Sequence, residues 1–130
     1  MHLQKTDWLT LIGILMLIAG SHWYNQYYSS KFWAHKANSI EVAQQREQLF
    51  KGMELDLVYS SYQNELFVGH EFYDTLKGLT FNQWMAALDD PTESHFWLDV
   101  KNLDTTNAEV ISDLILKVTQ PYHITDQVLV

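Results

Sequence analysis

The chain has 130 residues, enough for one domain, and with 47% hydrophobic and 14% aromatic residues it can bury a core and is not disordered by composition. A formal net charge of −8 argues against non-specific nucleic-acid binding, which needs a basic face. The absence of cysteine excludes disulfides, thiolate zinc sites and a cysteine nucleophile, and fits an extracytoplasmic protein that needs no covalent staples.

At the N-terminus, Lys5 precedes an apolar run of thirteen residues, Trp8 to Gly20. A helix that spans hydrocarbon needs about 20 apolar residues and a signal-peptide core about 7–15, so the length favours a signal peptide. Ala19-Gly20-Ser21 supplies small residues for cleavage after Ser21. The alternative is an uncleaved anchor extended by the interfacial aromatics of "HWYNQYY". Either reading predicts export, to a periplasmic or extracellular location or to a membrane-anchored one facing outside. The division expected is a signal peptide or anchor over 1–21, a linker over 22–30 and a folded region over 31–130.

After the linker, "KFWAHK" reads as a short strand. Asn38 or Ser39 then caps a helix with Glu41 in its first turn, running to about Phe50 and ended by Lys51-Gly52. "MELDLVYS" alternates, with Met53, Leu55, Leu57 and Tyr59 on one face and Glu54, Asp56 and Val58 on the other. "SYQN" is a turn and "ELFVGH" the returning strand. Thr80 and Gln83 form a capping box for a short helix that Asp89-Asp90-Pro91 breaks. "HFWLDVKN" is the next strand. Thr106 and Glu109 read as a second capping box, before a helical stripe of Val110, Ile111, Leu114, Ile115 and Val118 that Pro121 stops. "QVLV" begins a last strand. Strands alternating with helices predict an α/β fold with parallel pairing through right-handed crossovers.

Strands of a parallel sheet are covered on both faces and should be oily on both. Three strands here depart from that near their carboxyl ends. His35 shares a face with Trp33, Glu54 lies with Asp56, and Asp99 lies with Trp97 and Lys101, while His70 ends the hairpin strand. These faces should converge at the carboxyl end of the sheet, where ligands bind in α/β folds. Three carboxylates on a dry face need a counter-charge, because each unpaired one costs several kcal/mol. A divalent cation meets that need, and all-oxygen ligands suit Mg²⁺ or Ca²⁺ rather than zinc. Lys101 is placed to hold an anionic substrate. His35 and His70 are candidates for general base and general acid, since imidazole titrates near neutral pH.

With these residues in view, "AHKANSIE", "GMELDLVY", "FVGH" and "FWLDVKN" resemble the PLC-like phosphodiesterase superfamily, which includes glycerophosphodiester phosphodiesterases. The "H-x-x-N-S" form at His35 to Ser39 and the Asp of "LDVKN" are similar to the menorin-like branch. The resemblance covers residues 31 to 130. It implies that Glu54, Asp56 and Asp99 are metal ligands, that His35 and His70 are the acid–base pair, and that Lys101 is the lysine on the phosphate side. Lys36 stands where the main family has arginine, a point charge in place of a bidentate fork, and Glu71 stands where an aspartate usually follows the second histidine. The implied fold is a TIM-like (β/α)8 barrel of about 250 residues. Residues 31–130 supply its first half, about four parallel strands plus a hairpin strand after the N-terminal hydrophobic helix, so the chain reads as a truncated product or a piece of a longer one. The expected function is an exported, metal-dependent phosphodiester hydrolase acting on small-molecule glycerophosphodiesters or phospholipid head groups, with membrane contact through the N-terminal segment and no nucleic-acid partner. The alternatives are a catalytically inactive membrane-tethered binding module or a non-functional fragment.

Overall fold

The alternation after Gly52 is realised as the central strand of a five-stranded sheet in the computed structural model, which describes residues 5–29 and 32–130. In chain order the elements are α1 (Lys5–Ser29), β1 (Trp33–Ala34), α2 (Ile40–Glu47), β2 (Gly52–Ser60), β3 (Glu65–Val68), α3 (Phe81–Ala86), β4 (His95–Val100), α4 (Ala108–Thr119) and β5 (Val128–Leu129), with 3₁₀ turns between several of them. The sheet order is β1-β2-β4-β5, every neighbour on that path is parallel, and β3 returns antiparallel against β2. This is a mixed α/β fold with the parallel pairing expected.

Leu55 and Leu57 of β2 and Phe96, Leu98 and Val100 of β4 bury their apolar face against Trp84 and Met85 of α3 and Ile111 and Ile115 of α4. Trp84 meets Phe96 edge to face, with centroids 6.0 Å apart, and its indole N–H donates to the Ala37 carbonyl at 2.8 Å. That bond satisfies the one polar group the large ring carries inward. The strands β2 and β4 are paired so that Asp56 lies beside Asp99 and Leu57 beside Val100. Partners across a parallel ladder share a face, so the acidic residues of both strands lie opposite the core.

Local signals account for most boundaries. Ser39 caps α2, its hydroxyl accepting from the Val42 N–H, and Thr80 with Gln83 forms the reciprocal box that opens α3. Four differences from expectation stand out. The strand expected in "KFWAHK" is only two residues long, because Lys36 turns into the left-handed region at φ 57°. The helix expected to reach Phe50 ends at Glu47, where the N–H groups of Leu49 and Phe50 both fold back onto the Arg46 carbonyl. The capping box of Thr106 and Glu109 does not form. Asp104 organises that turn instead, accepting from the Thr106 N–H and hydroxyl and from the Asn107 N–H. A carboxylate with two free lone-pair directions outcompetes a hydroxyl for N–H groups that close. Finally, residues 22–29, expected within a linker, continue α1; neither glycine nor proline follows Gly20 to stop it. Among the described residues no helix is long and apolar enough to cross a membrane.

Candidate functional site

Glu54 and Asp56 are held at the site by the segment that follows β1. At the end of β1 the chain turns at Lys36 and runs across β2, so that the Ala37 N–H donates to the Glu54 carbonyl at 2.9 Å. The same turn delivers the Lys36 N–H to Glu54 Oε2 at 2.5 Å and brings His35 Nδ1 against that oxygen. Arg46 of α2 donates to the His35 carbonyl and ties the turn to the helix. Two residues further on, Asn38 grips Asp56 twice: its Oδ1 accepts from the Asp56 N–H at 3.0 Å and its Nδ2 donates to Asp56 Oδ2 at 2.7 Å.

The result is a cluster in which Glu54, Asp56 and Asp99 each offer an oxygen within 4.8 Å of the others. Glu54 and Asp56 are buried and Asp99 is half-exposed. The Lys101 ammonium completes it, 2.6 Å from Asp56 Oδ1 and 2.5 Å from Asp99 Oδ2. Its approach to Asp56 Oδ1 is an ion pair without hydrogen-bond geometry, so that fully buried oxygen has no hydrogen-bond partner. Burial pushes the Asp56 carboxyl up, but the adjacent Lys101 ammonium and the hydrogen bond from Asn38 prevail and hold it below the usual carboxylate range. Burial likewise pushes Lys101 down, and the Asp56 and Asp99 carboxylates beside it outweigh that and hold it above the ordinary lysine value.

The structure therefore brings together five of the seven residues singled out in the sequence: His35, Glu54, Asp56, Asp99 and Lys101. The other two sit differently. Lys36 enters the site through its backbone N–H, and its side chain is exposed. His70 is carried to the carboxyl end of β2 by a bond from the Gly69 N–H to the Asp56 carbonyl at 3.0 Å, but its ring pairs with Glu71 at 2.9 Å rather than with the carboxylates. The backbone there is set by buried Asp74, whose Oδ2 accepts from the N–H groups of His70 at 2.9 Å and Glu71 at 3.0 Å. Lys101, expected to face an anionic substrate, spends its charge on Asp56 and Asp99.

Comparison with family models, with curated proteins and with solved structures finds no match to this chain, so the site is read from its own geometry. Two residues that the sequence pattern did not single out matter to it. Asn38 was visible only as one of two candidate helix caps, although it is the Asn of the "H-x-x-N-S" stretch. Asp74 lies four residues after His70 and carried no signal of its own. The cluster could hold a metal ion: three carboxylates converge, one buried oxygen has an ion pair but no hydrogen-bond partner, and one ammonium balances one of the three negative charges.

Proposed function

We propose that this chain is a metal-dependent phosphodiester hydrolase whose α/β sheet is the first part of a TIM-like barrel, acting on glycerophosphodiester-type substrates. The observation that carries the reading is the convergence of Glu54, Asp56 and Asp99 within 4.8 Å on one face of the adjacent parallel strands β2 and β4, with a buried Asp56 oxygen lacking a hydrogen-bond partner. The sequential order of the parallel strands supports the barrel, since each crossover adds the next strand on the same side. Glu54, Asp56 and Asp99 would hold Mg²⁺ or Ca²⁺, which supplies charge neutralisation and polarisation of a phosphoryl oxygen.

The chain's own residues would do the rest. His35 donates from Nδ1 to Glu54, which fixes the ring and leaves Nε2 to take a proton from an attacking hydroxyl. His70, with Nδ1 engaged by Glu71, has Nε2 for the leaving oxygen. Lys101 would exchange its carboxylate contacts for a phosphate oxygen when the acidic residues are otherwise neutralised. Hydrolysis of glycerophosphocholine and of bis(p-nitrophenyl) phosphate with Mg²⁺, Ca²⁺ or chelator tests this. Cation-dependent turnover lost in Asp56→Asn is expected, and no turnover under any of these conditions refutes it.

A second reading has its own observation. The Lys101 ammonium already bridges Asp56 and Asp99, which is how a domain that has given up its cation would balance their charge. In that case the chain is an inactive binding module, and cations at millimolar concentration leave its melting temperature unchanged.

A further inference from the structure

Among the described residues, large apolar side chains are exposed on two separate elements. On α1, every described residue from Leu11 to Gly20 is exposed, and residues 8–29 contain no Asp, Glu, Lys or Arg. Apolar residues lie all round this helix rather than along a stripe. A helix of that kind belongs in an apolar medium, whereas a protein groove covers only one side. Trp8 flanks one end of the run and Trp23 and Tyr24 the other, rings of the kind enriched where lipid meets water. The second surface is the 3₁₀ segment Phe72–Lys77 directly after His70, where Phe72 is 67% exposed and Leu76 87% exposed. Phe72 also lines a cavity of 370 Å³ with Tyr59 and Asn102, beyond the carboxyl ends of β2 and β4.

We propose that the edge of the sheet bearing the carboxylate cluster rests on a zwitterionic lipid bilayer, with α1 inserted and Phe72 and Leu76 touching the surface. Charge selects this occupant. A second copy of a chain at −8 is repelled by the first, and Glu71 beside Phe72 disfavours an anionic surface, whereas a zwitterionic one opposes neither. Length is consistent as well. The thirteen apolar residues extend about 20 Å, short of the ~30 Å hydrocarbon thickness, so α1 is held in the lipid without crossing it. Only five residues separate Ser29 from His35, a reach of at most about 20 Å, so the site edge stays close to the membrane that holds α1. The contact does not depend on the phosphodiesterase reading.

The chain has no cysteine, so single probes can be placed cleanly on the full-length protein. Leu17→Cys, Leu76→Cys and, as control, Gln45→Cys at an exposed position of α2 would carry an environment-sensitive fluorophore and be mixed with phosphatidylcholine vesicles. The protein should float with the vesicles, and the probes at 17 and 76 should shift to the blue while that at 45 does not. Flotation should fall when a third of the lipid is phosphatidylglycerol at low salt, and recover at high salt. Leu17→Asp should weaken flotation by about a hundredfold. Three results would each overturn the proposal: protein that stays at the bottom of the gradient, protein that sediments as a dimer beside the vesicles, and a probe at 76 that is as silent as that at 45 while the probe at 17 responds.

Discussion

Replacing Lys101 by methionine keeps much of the side chain's volume and removes the one ammonium among three carboxylates. The cost follows from where its partners lie. The Asp56 side chain is 1% exposed, and stripping the partner from a buried ion pair costs about 3–5 kcal/mol. Asn38 still donates to Asp56 Oδ2 at 2.7 Å, which places the loss near the lower end. The Asp99 side chain is 42% exposed, so its pair with Lys101 adds at most about 1 kcal/mol. A total of about 3–4 kcal/mol lowers the melting temperature of a domain this size by at least about 12 °C. Thermal unfolding monitored by circular dichroism measures it. Asp56→Asn combined with Lys101→Met should recover most of the loss, since the buried charge goes with its partner. The variant also tests whether cation and ammonium share one place. A ligand at a hundred times its Kd stabilises by about 2.7 kcal/mol, and in Lys101→Met the cation has no ammonium to displace, so its gain should exceed that of the parent at equal concentration. A loss below about 1 kcal/mol, or identical cation gains in parent and variant, would refute this account of the cluster.

Asp56→Asn should abolish the cation-linked rise in melting temperature and His70→Ala should keep it, because only the first removes a carboxylate from the cluster; differential scanning fluorimetry with Mg²⁺, Ca²⁺ and chelator separates them. Gly69→Ala should destabilise the fold by about 1–3 kcal/mol, because its Cβ would lie 2.3 Å from Asp74 Cβ at a φ of +156°; urea unfolding measures the loss, and a value near zero would show that the loop before His70 is free to move. Asp104 is held below its ordinary 3.8 by hydrogen bonds from Thr106, outweighing desolvation, with a further one from Asn107. A depressed carboxyl contributes stability that is present above the unfolded value of 3.8 and lost as pH falls through the folded one. Asp104→Asn should therefore flatten the stability profile below about pH 4, the unfolded carboxylate value, and an unchanged acid limb would show that the turn before α4 does not use this carboxylate.

The sequence alone determined the strands, the capped helices and the faces on which the acidic residues lie, because each depends on residues a few positions apart. Alternation over 53–59 and the Thr80–Gln83 box are of this kind, and so is the expectation of parallel strands joined by helices. Local pattern failed where two nearby groups compete for the same backbone, as when Asp104 rather than Thr106 organised the start of α4. What only the tertiary structure decided is who neutralises whom. Register places Asp56 beside Asp99, and from there the Lys101 ammonium reaches both, although Lys101 follows Asp99 by two residues and Asp56 by forty-five. Asn38 grips Asp56 from eighteen residues away, and Glu54 takes the ring of His35 across a similar interval. His70 follows its adjacent Glu71 because Asp74 holds the intervening backbone. Side-chain charge is written in the sequence, but its partner is the nearest opposite group in space, and burial makes that choice worth several kcal/mol.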